Sequence, residues 1–144
     1  MFMSILALAA MQAAPEAQRT PCRSDTNLVG TWRVVQSRGQ QWPDDHPVHK
    51  HVTPTHFTVI HWDPADAGNA HRAHGGTYTL SEGRYHEHVQ YGFGEGYRKV
   101  AEPGKAFRAE FSCWTSGDEW HLEGDVPGVG SLRERWVRVS PPRG

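Results

Sequence analysis

The sequence predicts an all-β domain, an antiparallel up-and-down barrel of about eight strands. Three observations predict it. Short runs of alternating apolar and polar residues, rich in β-branched and aromatic side chains, recur along most of the chain. Clusters of Gly, Pro, Asp and Ser punctuate those runs at tight-turn spacing. No helical periodicity competes with them.

The opening MFMSILALAAMQAAPEAQ is a short apolar run followed by small residues, like the hydrophobic and cleavage regions of a secretory signal, but without a basic n-region. It is too short and Ala-rich for the roughly 20-residue span of a transmembrane helix. An export signal or a stray N-terminal helix are the two readings. Residues 1–20 are therefore assigned to a signal peptide or N-terminal arm and 21–144 to the barrel, with a secreted or periplasmic destination expected. Arg19-Thr20-Pro21 before Cys22 is not a lipobox. Cys22 and Cys113 either pair in an oxidising compartment, tying the arm to a late strand, or stay independent thiols.

Strands are expected near 28–36, 55–62, 76–80, 84–91, 105–114, 119–123 and 131–139, with an extra one near 97–101. Ser81-Glu82-Gly83, Ser116-Gly117-Asp118 and Asp125-Val126-Pro127-Gly128 are tight-turn signals that make their flanking strands antiparallel hairpins. Sequential strands of this kind form a barrel or a sandwich, and closure removes the open edges. The connections 37–54 and 63–75, rich in Pro, His, Asp and Gly, are expected as long loops of functional character.

With 144 residues the chain is one domain, large enough for a core and one site. Fifteen basic and sixteen acidic residues leave a formal charge of −1 with no block of like charge, which argues against nucleic acid or an anionic membrane surface as partner. Ten histidines make the net charge respond to acidification between about pH 7 and 5.

The first strand carries Gly30-Thr31-Trp32 and the last carries Glu134-Arg135-Trp136-Val137-Arg138. This G-x-W with a closing arginine resembles the lipocalin and wider calycin pattern, and TPTHFTVIHWD, GGTYTLSEGRYHEHVQYG, WHLEG and LRERWVRV look like bacterial lipocalin-like domain proteins over roughly 28–139. The resemblance implies a barrel with a ligand-sized interior. It also implies Gly30, Trp32, Trp136 and Arg138 as a structural signature, the guanidinium of Arg138 packing across Trp32 as a cation–π contact.

In RYHEHVQYG, strand alternation sets Tyr85, Glu87, Val89 and Tyr91 on one face and His86, His88 and Gln90 on the other. If the Tyr85 face points inward, Glu87 is a buried carboxylate that must be paired, hydrogen-bonded or protonated. Glu134, Trp136 and Arg138 share a face by the same period, so Arg138 is a candidate partner, as is His61 if Phe57 and Val59 face inward. His61, Tyr85, Glu87, Tyr91, Trp120, Glu134 and Arg138 are the candidate ligand-binding lining, against the alternative of a salt bridge that only fixes register. Of the other tryptophans, Trp62 and Trp114 are expected at barrel mouths with Trp120, and Trp42 in a lid or partner contact.

His86 and His88 have the spacing for two imidazoles on one metal ion, yet two ligands are not a site, and exposed histidines on a wet face are the plainer reading. Nucleophile motifs, phosphate-loop context and cofactor fingerprints are absent, so no catalytic residue and no cofactor is assigned. Gly92-Phe93-Gly94-Glu95-Gly96 reads as a bulged connection. The expected function is binding of a small hydrophobic ligand in the cavity. The rivals are a cavity enzyme of isomerase or cyclase type with Glu87 as general acid or base, a metal-binding protein using His86 and His88, and a structural barrel whose aromatics fill its interior.

Overall fold

Period-2 alternation of buried and less buried positions runs through most of the long strands of the computed structural model, which describes residues 18–62, 65, 70–94 and 107–140. The strands are β1 (Thr20–Pro21), β2 (Gly30–Ser37), β3 (Gln40–Gln41), β4 (Val48–Val52), β5 (His56–Trp62), β6 (Ala70–Ser81), β7 (Arg84–Phe93), β8 (Phe107–Ser116), β9 (Glu119–Val126) and β10 (Gly130–Arg138). All pairings are antiparallel. From β4 to β10 each strand pairs with the next in sequence, and β2 pairs with both β4 and β10. The result is a closed, eight-stranded up-and-down barrel, consistent with a lipocalin-like fold. The two-residue strands β1 and β3 only extend it, on β8 and β2.

Three of the joints are the tight turns expected from sequence. Glu82 and Gly83 take φ of 46° and 78° between β6 and β7, a left-handed pair that glycine tolerates without steric cost. Gly117 and Gly128 serve the next two hairpins in the same conformation.

Two long connections are shorter than expected. The span 37–54 contains β3 and all of β4, whose sequence VHKHV alternates Val-Lys-Val inward with His-His outward. A lysine at the central inward position conceals the strand from a hydrophobic pattern. Likewise β6 begins at Ala70, so AHRAHG inside the expected loop 63–75 is strand. The expected strand near 97–101, and most of the presumed signal segment 1–20, lie outside the described residues.

The barrel is closed at one end by aromatic rings. Trp32 and Trp120 meet edge to face at 5.4 Å, and Tyr85 meets Trp120 at 5.1 Å and Phe111 at 6.3 Å. Over this plug, Arg138 stacks on Trp32 with its guanidinium 4.2 Å from the ring centroid, donating to the carbonyls of Val29 and Asn27. Gly30 explains the glycine of the G-x-W: its φ is 138°, and a Cβ there would stand 2.8 Å from the Arg138 guanidinium.

Cys22 and Cys113 form a disulfide with Cα atoms 5.3 Å apart across 91 residues, resolving the two readings of the thiols in favour of pairing. Backbone bonds from Cys22 to Cys113 and from Gly83 to Cys22 hold the arm against the same end. No helix among the described residues is long and apolar enough to cross a membrane.

Candidate functional site

The interior beyond the aromatic plug is a cavity of about 1260 Å³. That is above the 300–1,000 Å³ or so typical of small-molecule sites. Val34, Val48, Val59, Val89, Ala109, Phe111, Val126 and Leu132 form much of its wall. Trp42 and Pro43 from the β3–β4 connection and Pro127 to Val129 from the β9–β10 turn also border it. Among the described residues, aromatics therefore fill the plugged end of the barrel and leave a chamber beyond it, contrary to a barrel packed solid.

Lys50 stands between plug and chamber. The β4 register points it inward opposite Val59, and its ammonium is 4.8–5.4 Å from the ring centroids of Trp120, Tyr85, Phe57 and Trp136. It donates to Glu87 Oε1 at 2.5 Å, with Lys50 3% and Glu87 6% exposed. Neither charge is tolerable alone in such a place. The opposite charge and the four ring faces together compensate the lost hydration.

Three further groups are tuned by this ion pair. Glu134 lines the cavity and accepts a hydrogen bond from Trp136 Nε1 at 3.0 Å. Burial raises its carboxyl pKa against the pull of the Lys50 charge and the Trp136 N–H, with the Glu87 charge adding to the rise. His74 also lines the cavity, its Nδ1 shut off from solvent and its ring 6.0 Å from Phe57. Burial first, then the Lys50 and Arg72 charges, lower its pKa to about 3, so the imidazole is neutral. Tyr85, buried beneath, is raised well above the usual phenol value by burial and then by Glu87.

The predicted lining divides. Glu87, Glu134 and His61 reach the cavity, His61 beside Trp42 with ring centroids 6.5 Å apart. Tyr85 and Trp120 belong to the fully buried plug. Tyr91 stands outside, 46% exposed, its hydroxyl bonded to Thr58 Oγ1 at 2.8 Å and donating to the Phe57 carbonyl at 3.3 Å. The reason is a bulge: Gly76 pairs with Val89 but Gly75 with Tyr91, so Gln90 is skipped and the side-chain parity reverses. Arg138 closes the far end and is not the partner of Glu87; Lys50 is.

Other expectations shift too. Trp114 stacks on His121 with ring centroids 5.2 Å apart, near the end of β8. Trp62 ends β5, 38% exposed. Trp42 packs against the core and donates its Nε1 to the His46 carbonyl at 2.6 Å. His86 and His88 face outward, His86 lying 3.5 Å from Glu110. Among the described residues no three metal-ligating side chains converge, so these two histidines gain no third ligand there.

Lys50, Arg72 and His74 are among the cavity residues that sequence reasoning did not place there. A signal for Lys50 existed. Glu87 needed a buried cation, and VHKHV offers one at the centre of a five-residue alternation. Comparison with known proteins gives no matching family model and no matching curated protein.

Proposed function

We propose that this chain is an exported lipocalin-like binding protein that holds a small, largely apolar molecule in the barrel cavity, with the ligand's polar end toward Lys50, Glu87 and Glu134. One observation carries the reading: a roomy apolar chamber whose inner end is a preorganised charged cluster. Apolar walls supply affinity and a few fixed polar groups supply orientation, as in small-molecule sites generally. The Cys22–Cys113 disulfide supports an oxidising compartment.

The test is to purify the chain natively, denature it and identify released molecules by mass spectrometry. An apolar compound in near-stoichiometric amount supports the reading. Failure to retain any compound, together with no uptake of apolar probes by the refolded chain, removes it.

A second reading is favoured by Glu134. Glu87 is neutralised by Lys50, whereas burial raises the Glu134 carboxyl above its ordinary value, the direction that suits a general acid in an isomerase or cyclase. It predicts turnover of the released compound or its precursor that is lost in Glu134→Gln.

A further inference from the structure

We propose that Lys50 is a carbonyl-trapping amine, forming a protonated imine with an apolar aldehyde that enters the barrel cavity. This inference rests on the cavity being a ligand site, and it specifies the ligand's chemical class.

The amine is placed for that chemistry. Lys50 borders the cavity yet is 3% exposed, so an aldehyde that enters the chamber meets the amine away from bulk water. Glu87 Oε1, at 2.5 Å, is within proton-transfer distance. The wall that an aldehyde chain would lie along is Val48, Val59, Val89 and Trp136.

Every proton in the step has a carrier. Glu87 takes one proton from the Lys50 ammonium, and the neutral amine attacks the carbonyl carbon, forming the C–N bond while the carbonyl π pair moves to oxygen. Glu134 protonates that oxygen and takes a proton from the nitrogen, giving the carbinolamine. Glu87 then returns its proton to the hydroxyl, which leaves as water as the nitrogen lone pair closes the C=N bond. Overall, one ammonium and one aldehyde give one protonated imine and one water, with both carboxyl groups restored.

The surroundings match reactant and product alike. The positive charge begins and ends on the same nitrogen, so the ring faces of Phe57, Tyr85, Trp120 and Trp136 and the Glu87 carboxylate serve the iminium as they serve the ammonium. Burial also favours the protonated form of Glu134 that the relay starts from. A purely structural ion pair would need Glu87 but would not need to border an open chamber.

The chain has three lysines, Lys50, Lys99 and Lys105, which makes the site easy to map. The experiment incubates the full chain with decanal and sodium cyanoborohydride, locates the reduced adduct by peptide mass spectrometry, and measures binding of 1-decanol by calorimetry. The expected result is one adduct per chain on Lys50, formed at least about tenfold faster than on Lys99 or Lys105, as befits a desolvated amine beside a base. Lys50→Arg keeps a cation at this position but cannot form an imine, so it should lose the adduct. Equal labelling of the three lysines, or an unchanged adduct yield in Lys50→Arg, overturns the proposal. Binding of 1-decanol without an adduct on Lys50 also overturns it while leaving the ligand-binding reading intact. Absence of both removes the two together.

Discussion

Lys50 and Glu87 define what the interior can tolerate. Each is stable inside only because of the other, so Lys50→Met should cost about 3–5 kcal/mol, the penalty of a buried charge left without its partner. The double variant Lys50→Met with Glu87→Met should recover most of that loss, because no ion then remains to be solvated. Urea unfolding of the three proteins measures both. A double variant as weak as the single one would show that packing, and not charge, dominates. His74 and Glu134 act oppositely with pH. Between about 6.5 and 3 the unfolded chain takes up a proton at His74 that the folded chain refuses, so stability falls on acidification. Glu134 contributes in full below the ordinary carboxyl value of 4.5 and loses its contribution as pH rises through its elevated folded value. Replacing His74 with Gln should therefore flatten the loss of stability between pH 6 and 4.5, by up to about 1.4 kcal/mol per pH unit. Unfolding midpoints at the two pH values decide it.

Strand parity decides which side chains meet, and a single bulge in β7 redirects it. Tyr91 leaves the face of Tyr85, Glu87 and Val89 and staples β7 to β5 from outside. Removing its hydroxyl in Tyr91→Phe should cost about 0.5–1.5 kcal/mol in stability and leave ligand affinity unchanged. A loss of affinity in a calorimetric titration would place Tyr91 inside. The bulge depends on glycine, because a Cβ on Gly76 would run into the His88 carbonyl. Gly76→Ala should thus cost about 1–3 kcal/mol, the range for forced overpacking, in the same denaturation assay. Strands with apolar inward positions, such as β5 and β9, were legible from their alternation. β4 was not, since its inward lysine is acceptable only where Glu87 and four rings await it, and those arrive from β5, β7, β9 and β10.

The closed barrel leaves its eight main strands no free lateral edge, and the disulfide ties the N-terminal arm to the plugged end. Joining residues 91 apart restricts the unfolded chain strongly. On the chain-entropy account, reduction should lower stability by about 4–5 kcal/mol. Thermal unfolding with and without dithiothreitol checks this, and an unchanged midpoint would mean that the arm contributes nothing to closure. Much of the site was accessible in the same partial way. Glu87, Glu134 and His61 followed from period-2 alternation, while Trp120 and Tyr85 moved from lining to plug because ring–ring contacts at the closed end compete for them.

From the sequence alone come the fold class, the tight turns and the need of Glu87 for a partner. These are local: they follow from alternation, turn chemistry and the cost of burying charge, none of which depends on which strands are neighbours. Only the tertiary structure decided that Lys50 is that partner, that Tyr91 faces out, that Cys22 meets Cys113 and that a chamber stays open beyond the plug. Each depends on register and closure, which a one-residue shift in pairing reverses without changing the hydrophobic pattern along any single strand.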